Sequence, residues 1–280
     1  MKTRAVLFLI IAAVLWSSGG LLIKVVAWNP LAIAGTRSAI AALVLLAFRR
    51  RVRLNWSFAQ IGGAVCYAAT VILFVLANKW TTAANAILLQ YTAPIYVAVL
   101  SYWFLRERIS KWDVVAIAAT IGGMILFFLD NLSRGGILGN FIAILSGIAF
   151  AGTALFLRKQ KDSSPLGSVF LGNIVAFLIG IPFMLQSSPG AIGWLELILL
   201  GIFQLGCSYI LYAEALKYVT ALEGILIPII EPILNPIWVF LLLGEKPGEW
   251  AVVGGIIVLL SITLRCQYAL RQNGKTHRFD

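Results

Sequence analysis

The first half of this chain is written again in the second. The run Lys79-Trp80-Thr81-Thr82-Ala83-Ala84-Asn85 returns as Lys217-Tyr218-Val219-Thr220-Ala221-Leu222-Glu223, and at the same offset Pro94 meets Pro232, Glu107 meets Glu245 and Trp112 meets Trp250. Trp16 to Lys24 resembles Phe150 to Arg158 at a nearly equal offset, so the likeness covers most of both halves. Duplication in a very apolar chain is the pattern of membrane proteins assembled from two related units.

Composition places the duplicated unit in a bilayer. Hydrophobic residues make up 61% of the chain, charged residues only 12%, and the mean hydropathy is +0.95. Soluble domains carry about 25% charged residues. The apolar stretches are long enough for a helix rising 1.5 Å per residue to cross about 30 Å of hydrocarbon. They number about ten and fall near 5–27, 31–48, 58–78, 82–104, 112–130, 137–157, 165–185, 192–216, 220–243 and 249–267. The first reads as a span rather than a cleaved signal, because its apolar core is too long and no polar secreted domain follows.

The fold class expected is therefore an all-α integral membrane protein of ten transmembrane helices. An odd number of spans per half makes the second half enter from the opposite side, so the two five-helix repeats, 1–134 and 135–270, are inverted, with a polar tail at 271–280. Basic residues set the orientation. With the N-terminus inside, the cytoplasmic segments collect Lys2, Arg4, Arg49, Arg50, Arg51, Arg53, Arg106, Arg108, Lys111, Arg158, Lys159, Lys161, Lys217, Arg265, Arg271, Lys275 and Arg278, while Lys24, Lys79, Arg134 and Lys246 fall outside. That bias puts both termini in the cytoplasm. The net charge of +11 reads as topology and contact with anionic lipid, at about 1 kcal/mol per basic residue near the surface. No soluble basic face exists to bind nucleic acid.

Other chemistries are excluded by what the chain lacks. Its one histidine, His277, sits in the tail, and Cys66, Cys207 and Cys266 have no metal-ligand spacing. No zinc site, histidine triad or disulfide framework is expected, and no cofactor is implied. A Gly-x-x-x-x-Gly-Lys-Ser/Thr loop is missing, so ATP hydrolysis by that route is excluded.

The ninth span carries the strongest functional signal. Thr220 followed by Glu223 has the capping-box pattern. Glu231 lies about 16 Å further along the helix, near the membrane midplane, where a carboxylate costs about 2.5 to 3.5 kcal/mol and normally faces a cavity, a partner or a proton path. Asn235 and Trp238 follow at i+4 and i+7 on the same face. Pro228, Pro232 and Pro236 each remove a backbone donor and free a carbonyl, so a kink is expected. Two readings of Glu231 stand side by side: a substrate or proton site, and a protonated side chain bonded to carbonyls that the prolines release.

Other candidates face it. The fourth span offers Gln90 and Tyr91 as polar groups near mid-depth or as interhelical glue. The third offers Tyr67 with Thr70, Phe74 and Asn78 at helical spacing, and the eighth Tyr209 and Tyr212. Trp16, inside the first span, is either a cavity wall or a core Trp. Lys24 is expected to snorkel to the outer interface, and Glu214 to pair with Lys217. The small-residue pairs Ala118/Gly122 and Ala143/Gly147/Ala151 permit close helix packing within the chain or in a homodimer.

The repeat, the Ala-Val-Leu-Trp-Ser run at 13–17, Pro30 and Arg37 in the second span, and the paired Arg106-Glu107-Arg108 and Gly244-Glu245-Lys246 resemble the drug/metabolite transporter superfamily, EamA-type branch. The resemblance implies a cytoplasmic-membrane permease for small metabolites working by alternating access, in many members an exporter of amino acids or related compounds. Glu-Pro at 231–232 belongs to the scaffold of that family. The leading expectation is a secondary carrier of a polar or zwitterionic metabolite, with Glu231 holding its ammonium or a coupling proton. An importer of a quaternary amine such as choline is the competitor, since aromatic walls and one carboxylate suit a cation. A membrane enzyme on lipid-linked substrate would need an interfacial His, Asp or Glu cluster, which the loops lack.

Overall fold

The computed structural model describes residues 1–49, 52–129, 136–234 and 248–276, without the side chains of 266 and 269–276. Asn235, Trp238, Pro236, Glu245, Lys246, Arg50, Arg51, Arg134, Arg278 and His277 lie outside the described residues, as do the side chains of Cys266, Arg271 and Lys275.

Among the described residues every regular element is helical. They are α1 (Lys2–Trp16), α2 (Gly19–Val25), α3 (Pro30–Phe48), α4 (Phe58–Trp80), α5 (Ala83–Gln90), α6 (Ala93–Leu105), α7 (Lys111–Phe127), α8 (Ile137–Lys159), α9 (Pro165–Met184), α10 (Ala191–Leu199), a π-helical segment Leu200–Cys207, α11 (Ser208–Ala215), α12 (Ala221–Leu226), a 3-10 turn Ile227–Ile229, α13 (230–234) and α14 (Glu249–Thr276). Seven helical stretches are long and apolar enough to cross a membrane, counting α1 with α2, α5 with α6, and α10 with α11 as continuous runs. Helix α7, of 17 residues, is only slightly shorter. Helix α14 runs on to Thr276, beyond the apolar segment that ends near 267, because hydropathy marks where lipid ends rather than where hydrogen bonding stops.

The caps fall where the sequence repeats. Thr82 accepts from the backbone N–H of Asn85 at the start of α5, and its repeat partner Thr220 accepts from Glu223 N–H at the start of α12. Glu223 returns the bond to Thr220 N–H at 2.9 Å, completing the capping box. A second box joins Ser110 and Asp113 at α7.

Packing is inside-out relative to a soluble protein. Leu43, Phe58, Trp103, Leu178 and Ile192 are exposed on the outer faces, while Arg37, Asn78, Asn173 and Glu231 are buried. An apolar exterior around a partly polar interior suits lipid as the solvent. Helix α3 lies along α9 and α7 along α14; α4 packs on α8 as α1 packs on α11, and α3 meets the π segment as α4 meets α9.

Close approach needs glycine at two places. Gly136, at φ 71°, turns the chain into α8. Gly147 lets α8 touch the break between α5 and α6, where an added Cβ would stand 2.7 Å from Gln90 O. The stripe Ala143, Gly147, Ala151 is thus buried inside the chain, whereas a Cβ on Gly122 would meet nothing within 4 Å.

Candidate functional site

The prolines decide where the site forms. Pro94 lacks the N–H that would bond Gln90 O, and Pro232 lacks the one that would bond Pro228 O. The α5/α6 run breaks at Tyr91–Thr92, and the helix that starts at Ala221 tightens to a 3-10 turn at Ile227–Ile229. A third break at Ser17–Ser18 divides α1 from α2. The expected kink in the later helix is present, and the fourth span is interrupted for the same reason.

The two proline breaks meet through one side chain. Tyr91 Oη lies 2.6 Å from Glu231 Oε2 and 3.1 Å from Pro228 O, the carbonyl freed by Pro232. A tyrosine hydroxyl has one hydrogen for these two acceptors. With Glu231 ionised, Tyr91 donates to the carboxylate. With Glu231 protonated, the carboxyl donates to the tyrosine oxygen, and the tyrosine hydrogen is released to Pro228 O. The geometry accommodates both protonation states without moving a backbone atom.

Glu231 opens onto a cavity lined by Trp16, Arg37, Thr70, Val71, Phe74, Gln90, Phe150, Gln204, Leu205 and Tyr209, of about 30 Å³. That is room for about two water molecules. Its aromatic wall is continuous: the Trp16 ring centroid lies 5.9 Å from Phe150, 5.0 Å from Tyr209 and 5.2 Å from Tyr212. Trp16 Nε1 and Tyr212 Oη are buried without a hydrogen-bond partner, which leaves two donors beside the aromatic wall.

Of the residues singled out from the sequence, Trp16, Thr70, Phe74, Gln90, Tyr209 and Glu231 line the cavity together, and Tyr91 reaches it through Glu231. Gln90 also donates to Ser146 Oγ at 2.7 Å. Tyr212 joins the wall through the Trp16 ring, and Tyr67 stands behind it: Tyr67 Oη donates to Asn173 Oδ1 at 3.2 Å and its ring meets Tyr209 at 4.6 Å. Asn235 and Trp238 lie outside the described residues.

Two polar lining residues were not among the candidates read from the sequence. Arg37, fully buried on α3, donates to Gln204 Oε1 and Val71 O, both at 2.9 Å. The rule that flags Glu231, an ionisable group deep in an apolar span, applies equally to Arg37. Gln204 sits in the π-helical segment, whose wider turn changes which residues share a face. No periodicity argument at 3.6 residues per turn locates it.

Basic side chains close both ends of the bundle. Lys24 Nζ donates to Asn78 O and Thr81 O, both at 2.8 Å, where the end of α4 offers carbonyls with no helical partner. Its repeat partner Arg158 does the same to Leu216 O at 3.0 Å and Lys217 O at 2.9 Å, and pairs with Glu107 at 2.8 Å. Glu107 in turn accepts from Ala221 N–H at 3.0 Å. Beside this clasp, Glu223 holds Lys2 at 2.8 Å and Arg265 at 2.5 Å, and Arg265 also reaches Asp113 at 2.9 Å. Lys217 pairs with Glu214 at 2.8 Å, as expected.

A bundle of apolar helices, interrupted where they meet around a small polar cavity and clasped at each end, defines a multi-pass membrane transporter. Comparison gives the family: the sequence pattern of the EamA-like transporter family matches residues 3–129 and again 137–265, and the chain belongs to that family, within the drug/metabolite transporter superfamily. Its relatives include an uncharacterized transporter of Archaeoglobus fulgidus, 25% identical over 91% of this chain and 94% of that one. Another, from Clostridium kluyveri, is 23% identical over 92% and 91%. Human solute carrier family 35 member G1 is 24% identical over 69% of this chain and 58% of its own length. A crystal structure shares the fold with a TM-score of 0.79 at 18% identity, covering 94% of this chain and 96% of the other. The protein is therefore a secondary transporter of small molecules, not an enzyme, and resides in the cell membrane.

Proposed function

We propose that this transporter carries a small polar or zwitterionic metabolite, an amino acid or amine, by alternating access, with Glu231 binding its ammonium group or the coupling proton. The observation that carries this reading is the Tyr91–Glu231–Pro228 contact at the edge of the cavity, which accepts a proton or gives it up by reorienting one hydroxyl. Trp16, Tyr209 and Gln90 form the rest of the site, with Tyr67, Tyr91 and Tyr212 bracing it. Asn235 and Trp238, at i+4 and i+7 from Glu231 in the sequence, are the remaining candidates for it.

The framework for this reading is ten spans in two inverted repeats, 1–134 and 135–270, with a tail at 271–280 and both termini in the cytoplasm. The twofold family match, the paired breaks and the reciprocal helix contacts support it. In this frame the Glu107–Arg158 clasp is the cytoplasmic gate and Lys24 belongs to the outer one. Export is the direction the family resemblance favours. A quaternary amine moving inward is the second reading, favoured by the four rings of Trp16, Phe150, Tyr209 and Tyr212.

The test is uptake into proteoliposomes of labelled amino acids, choline and other amines, and nucleosides, with and without an inward proton gradient. Saturable uptake by the natural chain, lost or uncoupled in Glu231→Gln, is expected. Saturable uptake unchanged in that variant returns Glu231 to the scaffold.

A further inference from the structure

Arg37 is a basic cavity residue whose chemistry the proposed site does not use. It lies about 10 Å along α3 from Pro30, is 1% exposed, and has five N–H donors. Two are spent on the neutral acceptors Gln204 Oε1 and Val71 O, and Nε has no partner. Among the described residues the ion pairs involve Lys2, Arg49, Arg158, Lys217 and Arg265, and none reaches Arg37.

Tying helices together does not require a guanidinium. Elsewhere in this interior the same task falls to uncharged pairs: Gln90 with Ser146, Tyr67 with Asn173, and Thr70 with Thr153. A buried charge without a counter-ion is among the most costly groups a fold can keep. Glu231 lines the same cavity yet forms no ion pair with Arg37. The two ionisable groups of the cavity are not paired with each other.

We propose that Arg37 is the anion-recognition residue of the cavity and binds the carboxylate of the carried solute, while Glu231 faces its ammonium group. The inference rests on the reading of this cavity as the solute site, and it narrows that reading to zwitterions. A guanidinium offers parallel donors that match a carboxylate edge. A solute with only a positive charge would satisfy Glu231 and leave Arg37 uncompensated, with a second cation added to its cavity. Gln204, set by the π-helical segment with its amide against Gly19, orients the fork from one side and Val71 O from the other.

The experiment measures thermal stabilisation of the purified, detergent-solubilised protein by neutral L-amino acids, their methyl esters and their descarboxy amines. Four proteins are compared: the natural chain, Arg37→Gln, Gln204→Glu and Glu231→Gln. The ester keeps the amine and side chain but loses the anion. Free acids are expected to bind the natural chain about 10- to 100-fold more tightly than the esters, the range for losing a charge-assisted hydrogen bond. Arg37→Gln is expected to erase that preference. Gln204→Glu places a carboxylate of nearly the same shape on Arg37 and supplies its missing counter-ion. It is expected to lose acid binding while folding at least as well, so the test survives if Arg37→Gln does not fold.

Equal binding of acids and esters by the natural chain, with acid binding intact in Gln204→Glu, overturns the role of Arg37. If the esters and amines then depend on Glu231, the broader reading stands without it. Acid binding that needs Arg37 but is indifferent to Glu231→Gln supports the anion site and removes the ammonium role. Failure of every compound to stabilise the natural chain overturns both.

Discussion

Glu107→Gln separates the clasp from the scaffold it closes. The substitution keeps the shape of the side chain but removes its charge, so the 2.8 Å contact with Arg158 and the 3.0 Å contact with Ala221 N–H each fall from a charge-assisted to a neutral hydrogen bond. Charge-assisted bonds contribute about 1.5–3 kcal/mol and neutral ones about 0.5–1.5. The two losses together destabilise the closed end by about 2–3 kcal/mol, or about 30- to 150-fold in the ratio of closed to open. The assay is the rate at which a membrane-impermeant maleimide labels Thr70→Cys, a cavity position, in a background with the native cysteines replaced by serine. Reagent applied from the face bearing Glu107 is expected to react at least tenfold faster in Glu107→Gln. Lys24→Gln, which loosens the opposite end, is expected to leave the rate from that face unchanged. A rate within about twofold of the parent in Glu107→Gln, when about 30-fold is expected, refutes the clasp as a gate.

Three further outcomes follow from the packing and the site. Gly147→Ala forces a Cβ to within 2.7 Å of Gln90 O and is expected to lower stability by about 1–3 kcal/mol, read as a fall in Tm in detergent. Gly122→Ala, with nothing within 4 Å of the new methyl, is expected to leave Tm equal or slightly higher. Tyr91→Phe keeps the ring but leaves the Glu231 carboxyl without its tyrosine partner, and is expected to cut the transport rate by about tenfold or more with the Tm retained within a few degrees. Full activity in that variant removes the hydroxyl from the mechanism.

Much of the fold was legible because lipid makes burial and hydropathy report different things. Long apolar runs marked the helices, and the Thr-x-x-Glu pattern at 220–223 marked the cap of α12. Glu231 was legible because a carboxylate at that depth has few innocent explanations, and Pro232 pointed to the freed carbonyl beside it. Arg37 met the same criterion and was passed over as a family landmark rather than weighed as a charge. Gln204 was not legible at all, since a π-helical turn leaves no mark in a 3.6-residue periodicity. The partners of Lys24 were not legible, because snorkelling considers only the lipid interface, whereas the end of α4 presented carbonyls that needed a donor.

The central claim is that Glu231 links solute to proton inside one cavity. Its most direct test is a pH-sensitive dye trapped in proteoliposomes, with each solute of the panel added outside and no imposed gradient. The account predicts a saturable lumenal pH change driven by the transported solute in the natural chain, and solute movement without that change, or no movement, in Glu231→Gln. Solute-driven proton movement of the same size in both proteins would contradict it.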